Sequence, residues 1–358
     1  MKALARYGKA FGGYRLIDVP VPEVGDEDIL VEVRAAMICG ADMKHFKVDN
    51  GSDEFNSIRG HEFAGEIVKV GSSVKDWHVG QRIVSDNTGH VCGVCQACEQ
   101  ADFLVCENKT NIGLDNNRWG GCFTKYVIIP GEILRIHRHA IREVPENLSY
   151  EEAAALEPLC NSYKSVAQQT SLLPGQDVVV MGAGPLGLYA VQVAKIMGAT
   201  NIVLVGLDAD VETRFQAGLD LGATHIVNAS EEDVVARCQS ICGKDNLGLV
   251  IECSGANIAL KQAIEMVRPN AEIVRAGMGF QPLDFSINRI TEWNISIIGH
   301  MAYDSTTWRN VIRLVSAGQL KTSPMITHRF GLSEWEKGFE AMAAKDAIKV
   351  VLTYDFKD

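Results

Sequence analysis

The sequence has little positive charge. Its 34 lysine and arginine residues are outnumbered by 45 aspartate and glutamate residues, which gives a formal net charge of −11 at pH 7. Nucleic acids and acidic membrane surfaces are bound through clustered lysine and arginine. The composition therefore argues against both partners and favours a small solute as the ligand.

The sequence also lacks a sustained apolar segment after its first charged residues. Residues 1–7 show no secretory signal, and the longest uncharged stretch, between residues 177 and 195, contains three glycines and a proline. Such a stretch favours a strand, a turn and a helix over a membrane span. We expect a cytoplasmic protein whose ten cysteines are thiols or metal ligands rather than disulfides.

The strand and helix patterns predict two domains in the 358 residues. Short apolar runs at residues 29–35, 65–70 and 82–84, separated by glycines, are typical of a compact antiparallel barrel. A capping-box signature at Ser149 and Glu152 then begins a helix. From residue 177 onward, strands and helices alternate, which predicts a parallel sheet covered by helices on both faces.

We therefore predict an α/β fold with one β-rich domain and one doubly wound parallel sheet. The β-rich domain is assigned residues 1–155 and 297–358, with a metal-binding lobe at about residues 90–107. The parallel-sheet domain is assigned residues 156–296. No repeat of fixed period and no low-complexity segment interrupts this division.

Four cysteines lie close together in a polar, glycine-bearing segment. They are Cys92, Cys95, Cys98 and Cys106. Four thiolates at this spacing can surround one tetrahedral zinc ion, and such a closed site has no free position for chemistry. An iron–sulfur cluster uses the same ligands, and four unrelated buried thiols are the remaining interpretation. We expect a structural zinc site.

A second set of candidate metal ligands lies on two strand-like runs. Cys39 ends the first run, and His61 and Glu62 follow Gly60 at the start of the second. Thiolate, imidazole and carboxylate are donors that zinc prefers. Their spacing alone does not distinguish ligands from ordinary core and surface residues, so the interpretation depends on the rest of the chain.

A glycine-rich turn follows the apolar run at residues 178–181 and opens a predicted helix. Its members are Gly182, Gly184, Pro185, Leu186 and Gly187. A strand before and a helix after are the context that a dinucleotide fingerprint requires. The glycines let the backbone approach a pyrophosphate, and the helix N-terminus offers N–H groups to the anion. We expect these residues to bind a dinucleotide cofactor.

The choice between NAD and NADP normally depends on an acidic residue at the end of the second strand. Aligned from Gly198, that position is Gly206. Asp208 and Asp210 follow as candidate acceptors for the ribose hydroxyls, and Arg214 follows as a candidate partner for a 2′-phosphate. We predict NAD, with NADP as the alternative.

Taken in order along the chain, the motifs resemble the zinc-containing medium-chain dehydrogenase family, over essentially the whole length. They are Cys39-Gly40-x-Asp42, Gly60-His61-Glu62-x-x-Gly65, the four cysteines, Glu157-Pro158 and the glycine fingerprint. The chain is similar to the bacterial polyol group around sorbitol, galactitol-phosphate and threonine 3-dehydrogenases, and to an uncharacterised zinc-type alcohol dehydrogenase-like group. The resemblance implies a GroES-like catalytic domain and a Rossmann nucleotide-binding domain.

The resemblance also implies roles for particular residues. Cys39 and His61 would bind a catalytic zinc ion, Glu62 would be a third ligand, and Glu157 would ligate the metal in some states. Asp42 would accept the free N–H of the ligating imidazole. With NAD as cofactor, one catalytic and one structural zinc ion per chain would serve oxidation of a secondary alcohol, such as a polyol or sugar acid, in a homodimer or homotetramer.

Two positions depart from the family pattern. Ala41 stands where a serine or threonine usually passes the substrate proton outward, and Lys44 stands where many relatives carry histidine. We hypothesise that His45, Lys44 or a water molecule at the metal replaces this proton relay. Lys44 is also a candidate partner for a phosphate or carboxylate of the substrate.

Several interpretations stay open. His90 is either a substrate-side residue, as in threonine dehydrogenases, or an ordinary loop histidine, and His137 and His139 are interpreted as solvated surface residues. The alternative functions are threonine 3-dehydrogenase-like oxidation of an amino alcohol, a nonenzymatic zinc- and NAD-binding protein, and a zinc-free quinone or enone reductase.

Overall fold

The computed structural model describes residues 1–8, 13–43, 46, 51–115 and 120–357. The strands are β1 Lys2–Tyr7, β2 Tyr14–Asp18, β3 Ile29–Met37, β4 Phe55–Ile58, β5 Glu62–Val70, β6 Arg82–Ser85, β7 Thr88–His90, β8 Thr110–Asn111, β9 Tyr126–Ile129, β10 Ile141–Glu143, β11 Val178–Met181, β12 Ile202–Gly206, β13 His225–Asn228, β14 Leu249–Glu252, β15 Glu272–Arg275, β16 Ser296–Gly299, β17 Ile326–Gly331 and β18 Lys349–Thr353. The helices are α1 Gly40–Met43, α2 Gln96–Glu99, α3 Gly131–Ile136, α4 Tyr150–Ala154, α5 Leu156–Tyr163, α6 Pro185–Ile196, α7 Gln216–Leu221, α8 Val234–Cys242, α9 Asn257–Met266, α10 Asn288–Glu292, α11 Ser305–Ser316 and α12 Trp335–Ala343.

The chain divides into two compact units. Unit 1 comprises Met1–Glu157, Asp304–Ser316 and Lys321–Asp358, and unit 2 comprises Pro158–Tyr303 and Ala317–Leu320. The boundary expected between residues 296 and 297 falls within unit 2. The reason is that β16 continues the sheet of that unit by pairing with β15.

Unit 1 is built mainly of antiparallel strands. Its largest sheet has the order β10-β6-β5-β3-β18-β17, with β9 also paired to β3, and a smaller sheet has the order β2-β1-β4. Strand β3 alternates little because it is buried on both faces for most of its length, which is why its sequence is nearly all apolar. The core of this unit includes the fully buried residues Leu4, Ile29, Phe63, Phe123 and Phe339.

The pairing of β3 with β5 positions the candidate metal ligands. The register runs from Ile29 opposite Val70 to Met37 opposite Glu62, with shifts after Leu30 and Val33. Register shifts of this kind bend a strand and are common beside functional sites. The ends of β3 and β5 that meet here are the ends next to Cys39 and His61.

Unit 2 contains a parallel six-stranded sheet in the order β13-β12-β11-β14-β15-β16. This order places the first, second and third strands on one side and the fourth to sixth on the other, which is the doubly wound arrangement. Every residue of β11, β12 and β14 is buried, as expected for strands covered on both faces. The predicted parallel sheet is confirmed, and its ligand-binding edge is the one at the carboxyl ends of β11 and β14.

The predicted capping box also forms. Glu152 donates its backbone N–H to Ser149 Oγ at 3.1 Å, and Ser149 returns its N–H to Glu152 Oε2 at 3.0 Å. These bonds satisfy donors that the first turn of α4 would otherwise leave unpaired. Among the helices of the described ranges, none combines the length and the apolar character that crossing a membrane requires.

Candidate active site

Three candidate metal ligands converge beside the paired strands β3 and β5. Cys39 follows β3, and His61 and Glu62 lie at the start of β5, where Glu62 pairs with Met37. The sulfur of Cys39, an imidazole nitrogen of His61 and a carboxylate oxygen of Glu62 lie within 4.8 Å of one another. The structure therefore brings together the three residues that the sequence singles out.

The donors of this cluster fit a metal ion. His61 and Glu62 are 2% and 0% exposed, and neither His61 Nδ1 nor Glu62 Oε1 has a hydrogen-bond partner among the described residues. Buried polar atoms without partners cost free energy, and a cation held between them removes that cost. Sulfur, nitrogen and oxygen donors at this separation suit zinc.

Burial controls the protonation of these ligands. Burial, followed by the negative charge of Glu62, raises the pKa of the Cys39 thiol well above its ordinary value. Burial lowers the pKa of His61, which keeps the imidazole neutral and able to donate a lone pair. Because cysteine binds zinc as a thiolate, metal binding at this site releases a proton.

Lys349 is a buried cation at the cluster, and sequence reasoning missed it. Its ammonium group contacts Glu62 Oε2 and donates to the carbonyl oxygen of Ile38 at 2.9 Å. Burial alone would lower the pKa of Lys349, but the charges of Glu62 and Cys39 raise it, so the lysine stays protonated. The signal available in the sequence was a lysine at the first position of the apolar strand β18.

Asp42 is bound to Cys39 and Arg59. Asp42 Oδ2 accepts the backbone N–H of Cys39 at 3.1 Å, and Oδ1 lies 3.3 Å from Arg59 Nη2. Both side chains are buried, with 0% and 1% exposure. The hydrogen bond expected between Asp42 and the His61 ring is not present; the carboxylate contacts Cys39 and Arg59 instead. Arg59, which sequence reasoning did not single out, is thus the counter-ion of Asp42.

Glu157 lies outside the group of three ligands. It is 4% exposed, and its Oε1 accepts a hydrogen bond from Asn87 Nδ2 at 3.0 Å. After burial and Glu62, the charge of Glu157 is a further cause of the raised pKa of Cys39, so its carboxylate lies near the cluster. Its role as an alternative ligand stays a prediction, and Asn87 is a partner that the sequence did not reveal.

The structure describes only some of the residues considered for the proton relay. Lys44 and His45 lie outside the described residues. Ala41 lies in α1, directly before Asp42, and its methyl group cannot carry a proton. His90 is exposed at the end of β7, which leaves both interpretations of that residue open.

The four cysteines form a second cluster in a lobe at residues 92–106. Their sulfur atoms lie within 4.8 Å of one another, with Cys92 Sγ 3.6 Å from Cys106 Sγ and 4.0 Å from Cys98 Sγ. Disulfide sulfurs are about 2.05 Å apart, whereas four sulfurs around one zinc ion at about 2.3 Å are about 3.8 Å apart. The cluster, completed by Cys95, therefore fits structural zinc.

His137 is not a solvated surface residue, so that expectation is wrong. Its side chain is 5% exposed, and its Nε2 lies 2.6 Å from Asp86 Oδ2. The ring of Phe103, from the four-cysteine lobe, lies 4.2 Å from the His137 ring. Burial would raise the pKa of Asp86, but His137 and then Arg142 lower it. His137 and Asp86 thus form a buried pair between the lobe and the sheet. His139, in contrast, is exposed, as expected.

The glycine fingerprint forms a turn between β11 and α6. Gly182 has a φ of 107°, a conformation that favours glycine. A Cβ on Gly187 would lie 1.9 Å from the Gly182 carbonyl oxygen, whereas a Cβ on Gly184 would have nothing within 4 Å. Gly184 caps the helix, and Pro185 and Leu186 begin it. The turn thus leaves a space over a helix N-terminus, which fits a pyrophosphate.

The charged candidates after β12 separate into two groups. Asp210 and Arg214 form a buried pair, with Oδ1 and Nη1 3.1 Å apart. Asp208 is exposed, and its Oδ1 accepts a hydrogen bond from Asn228 Nδ2 at 2.7 Å. Asn228, at the end of β13, was not among the predicted residues.

Both halves of this arrangement match known families. Residues 25–137 match the alcohol dehydrogenase GroES-like domain, and residues 185–317 match the zinc-binding dehydrogenase family. The chain belongs to the zinc-type alcohol dehydrogenase family, as its motifs suggested. The predicted combination of a GroES-like domain with a Rossmann domain is confirmed, and members of this family are zinc-dependent oxidoreductases that act on alcohols.

Individual relatives cover the whole chain. It is 71% identical to YdjL, an uncharacterized zinc-type alcohol dehydrogenase-like protein of Escherichia coli (strain K12), over 100% of both chains. It is 31% identical to a sorbitol dehydrogenase of Halalkalibacterium halodurans, over 99% of both chains. It is 32% identical to the L-threonine 3-dehydrogenase of Escherichia coli (strain K12), over 99% of this chain and 100% of the relative.

Solved structures with this fold hold either cofactor. A Sinorhizobium meliloti 1021 protein bound to NADP superimposes with a TM-score of 0.83 at 28% identity, and covers 99% of both chains. An alcohol dehydrogenase of E. coli CFT073 in complex with NADH superimposes with a TM-score of 0.86 at 25% identity, and also covers 99% of both chains. The fold alone therefore does not decide between the two cofactors.

Proposed function

We propose that the protein is a zinc-dependent dehydrogenase that oxidises a secondary alcohol of a polyol, sugar acid or related compound to a ketone, with NAD as cofactor. The observation that carries the proposal is the cluster of Cys39, His61 and Glu62, whose ligand atoms lie within 4.8 Å of one another. When bound, zinc supplies a Lewis acid for the alcohol oxygen, and the nicotinamide ring accepts the hydride.

The residues of the chain have distinct parts in this reaction. Cys39, His61 and Glu62 would hold the metal. Lys349 contacts Oε2 of Glu62, which leaves Oε1, an atom without a protein partner, to bind the metal. Asp42 fixes the backbone of Cys39 by accepting its N–H. Held in this way, the ligands need little rearrangement during the reaction, which is the main contribution that a protein makes to such chemistry.

The substrate hydroxyl must also lose its proton. Ala41 has no group that accepts one, so the usual relay of the family is not available. We propose that His45, or Lys44 in its neutral form, receives the proton, directly or through water. A histidine suits this task because its unperturbed pKa is about 6.5, close to the operating pH.

A polyol or polyol phosphate is the substrate class that the relatives support. Proteins named sorbitol dehydrogenase and D-arabitol-phosphate dehydrogenase are 31% and 30% identical to the chain over almost its full length. L-threonine 3-dehydrogenases are 32% identical, so threonine belongs in the same test. The test is a screen of polyols, sugar acids, their phosphates and threonine with NAD+ and NADP+ in parallel, with reduced cofactor as the readout.

The screen needs a matched control. His61→Ala should abolish turnover and lower the zinc content, because it removes a ligand but leaves the fingerprint intact. His139→Ala, at an exposed position outside both clusters, should change neither. Protein that holds zinc in both clusters but turns over no compound of the screen would contradict the proposed substrate class.

We also propose that the chain is a cytoplasmic homodimer or homotetramer. Free thiols, which the four-cysteine lobe needs to bind zinc, persist in reducing compartments. Strand β16 ends the six-stranded sheet of unit 2, and three of its four residues are exposed. Edge strands of this kind are templates for pairing with another chain, and Ile297, which is 38% exposed, adds apolar surface.

A further inference from the structure

The position that normally carries the NAD-selecting carboxylate cannot hold one here. Gly206 ends β12 and is fully enclosed, and a Cβ at this residue would lie 2.4 Å from Phe215 Cε1 and 3.1 Å from Ala183 Cβ. Ala183 belongs to the glycine fingerprint, so this is the expected place beside the adenosine ribose. An aspartate or glutamate at residue 206 would clash with the Phe215 ring.

Asp208 offers a carboxylate two residues further on. It is exposed at the same edge of the sheet, beyond the carboxyl end of β12. Its Oδ1 accepts from Asn228 Nδ2 at 2.7 Å, and its backbone N–H donates to Ser230 Oγ at 3.2 Å. Asn228 is itself held, because its Oδ1 accepts the N–H of Ser230 at 3.1 Å. Within the described residues, Oδ2 of Asp208 has no hydrogen-bond partner, so this oxygen is available to a ligand.

Arg214, the only arginine or lysine between Gly206 and Asn228, is held in a buried ion pair. It is 7% exposed and pairs with Asp210, whose Oδ2 also accepts the backbone N–H of Leu207. A 2′-phosphate would need this arginine to leave a buried ion pair, which is costly because Asp210 would be left unpaired. The turns after β12 and β13 are otherwise acidic. Their carboxylates belong to Asp208, Asp210, Glu212, Glu231, Glu232 and Asp233.

We infer that Asp208 selects NAD over NADP and that Asn228 is its positioning residue. Asp208 Oδ2 accepts hydrogen bonds from the hydroxyls of the adenosine ribose, while Asn228 fixes Oδ1. The same carboxylate repels a 2′-phosphate. This inference rests on the proposed dinucleotide-binding function. It assigns the selectivity between the two cofactors to Asp208 and Asn228, which lie at the ends of adjacent strands, and not to the residue that ends β12.

The test uses ADP-ribose and 2′-phospho-ADP-ribose, which lack the nicotinamide and therefore report binding without catalysis. Calorimetry with the full-length, zinc-loaded protein should show tighter binding of ADP-ribose. Asp208→Asn should weaken ADP-ribose about 10- to 100-fold, the range expected for hydrogen bonds to a charged group, and should strengthen 2′-phospho-ADP-ribose. Glu212→Gln, which removes the same charge from an exposed position in the same turn, should change both affinities by less than about twofold.

A second variant separates positioning from charge. Asn228→Asp keeps the acceptor for the Ser230 N–H but replaces the donor to Asp208 with a negative charge. It should weaken ADP-ribose and, because the added carboxylate also repels a 2′-phosphate, weaken 2′-phospho-ADP-ribose further, which differs from the pattern of Asp208→Asn. A purely structural role would weaken both ligands equally.

Three outcomes would overturn the inference. They are tighter binding of the 2′-phosphorylated ligand by the unmodified protein, an unchanged affinity ratio in Asp208→Asn, and equal losses for both ligands in Asn228→Asp. Binding of neither ligand would overturn the dinucleotide-binding function as well. Selective binding of ADP-ribose by a protein that oxidises no alcohol would support the inference while contradicting the proposed activity.

Discussion

Lys349 on β18 and Glu62 on β5 form a buried ion pair beside the candidate metal ligands, with side chains 2% and 1% exposed. Removal of one member of a buried pair leaves an uncompensated charge and typically costs about 3–5 kcal/mol. We therefore expect Lys349→Met to lower the thermal midpoint of the chelator-treated protein strongly. Excess zinc should recover part of the loss, because a metal ion offsets the charge of Glu62.

The control for this experiment is Lys337→Met. Lys337 also pairs with a glutamate, Glu334, but its side chain is 65% exposed. Exposed ion pairs contribute about 0–1 kcal/mol to the free energy of unfolding, so the thermal midpoint of Lys337→Met should change little. Equal small shifts in the two variants would show that Lys349 does not compensate Glu62.

The two cysteine-containing clusters should lose zinc independently. Cys106→Ser should reduce the zinc content from about two ions per chain to about one and lower the thermal midpoint, because a closed four-cysteine site stabilises the fold. Cys39→Ser should also remove about one ion but should abolish turnover instead. Elemental analysis together with thermal unfolding checks this, and loss of both ions from either variant would contradict two separate sites.

The contact between His137 and Asp86 predicts a pH dependence of stability. The folded-state pKa of Asp86 is lowered from 3.8, so its contribution is present above that value and lost as the pH falls through the lower folded-state pKa. His137→Gln removes the largest of the interactions that lower this pKa. We expect a loss of about 3 kcal/mol that is present above pH 3.8 and shrinks as the pH falls below that value.

Chemical denaturation across this pH range measures the effect. His139→Gln, at an exposed position two residues away, is the matched control and should have little effect at any pH. A loss in His137→Gln that is the same at all pH values would mean that packing against Phe103, rather than the charge of Asp86, explains it.

Substitutions of Gly184 and Gly187, two of the three fingerprint glycines, should have different effects. Gly187→Ala places a methyl group against the Gly182 carbonyl oxygen and should destabilise the turn itself. Gly184→Ala meets nothing within 4 Å and has an ordinary φ of −74°, so the variant should fold normally. Its methyl group would fill the space assigned to the pyrophosphate, and we expect ADP-ribose affinity to fall at least about tenfold. Unchanged binding in Gly184→Ala would move the pyrophosphate elsewhere.

The exposed edge of β16 gives a test of assembly. Ile297→Lys should shift the mass measured by light scattering toward the monomer, because like charges would face each other across paired strands. Ile196 on α6 is exposed to a similar extent, 37% against 38%, so Ile196→Lys should leave the mass unchanged. A monomeric unmodified protein would contradict the proposed pairing.

Local patterns in the sequence predicted much of this structure. The strand at residues 178–181, the capping box at Ser149 and the four-cysteine lobe each depend on residues close together in the chain. Their physical causes are apolar periodicity, paired helix caps and ligand spacing. These can be recognised in the sequence without knowledge of the fold. The same is true of the glycine fingerprint, whose turn needs only its own residues and the elements on either side.

The residues that the sequence did not reveal act through distant partners. Lys349 is 287 positions from Glu62, Asn87 is 70 positions from Glu157, and nothing in a linear pattern joins them. His137 was misjudged for the same reason, because its burial depends on Asp86, 51 positions away. A charged residue in an apolar stretch of sequence indicates that it is buried with a partner. It does not indicate which residue that partner is.

The insertion of β18 between β3 and β17 has a consequence for synthesis of the protein. Unit 2 is nearly continuous in sequence, so its sheet can form as soon as about the first 300 residues have left the ribosome, whereas unit 1 must wait for Lys349–Thr353. The four-cysteine lobe is complete early. Cys39, His61 and Glu62, by contrast, acquire the Lys349 ammonium group only after β18 has been synthesised. Zinc can therefore bind the lobe before the second site has gained its buried cation.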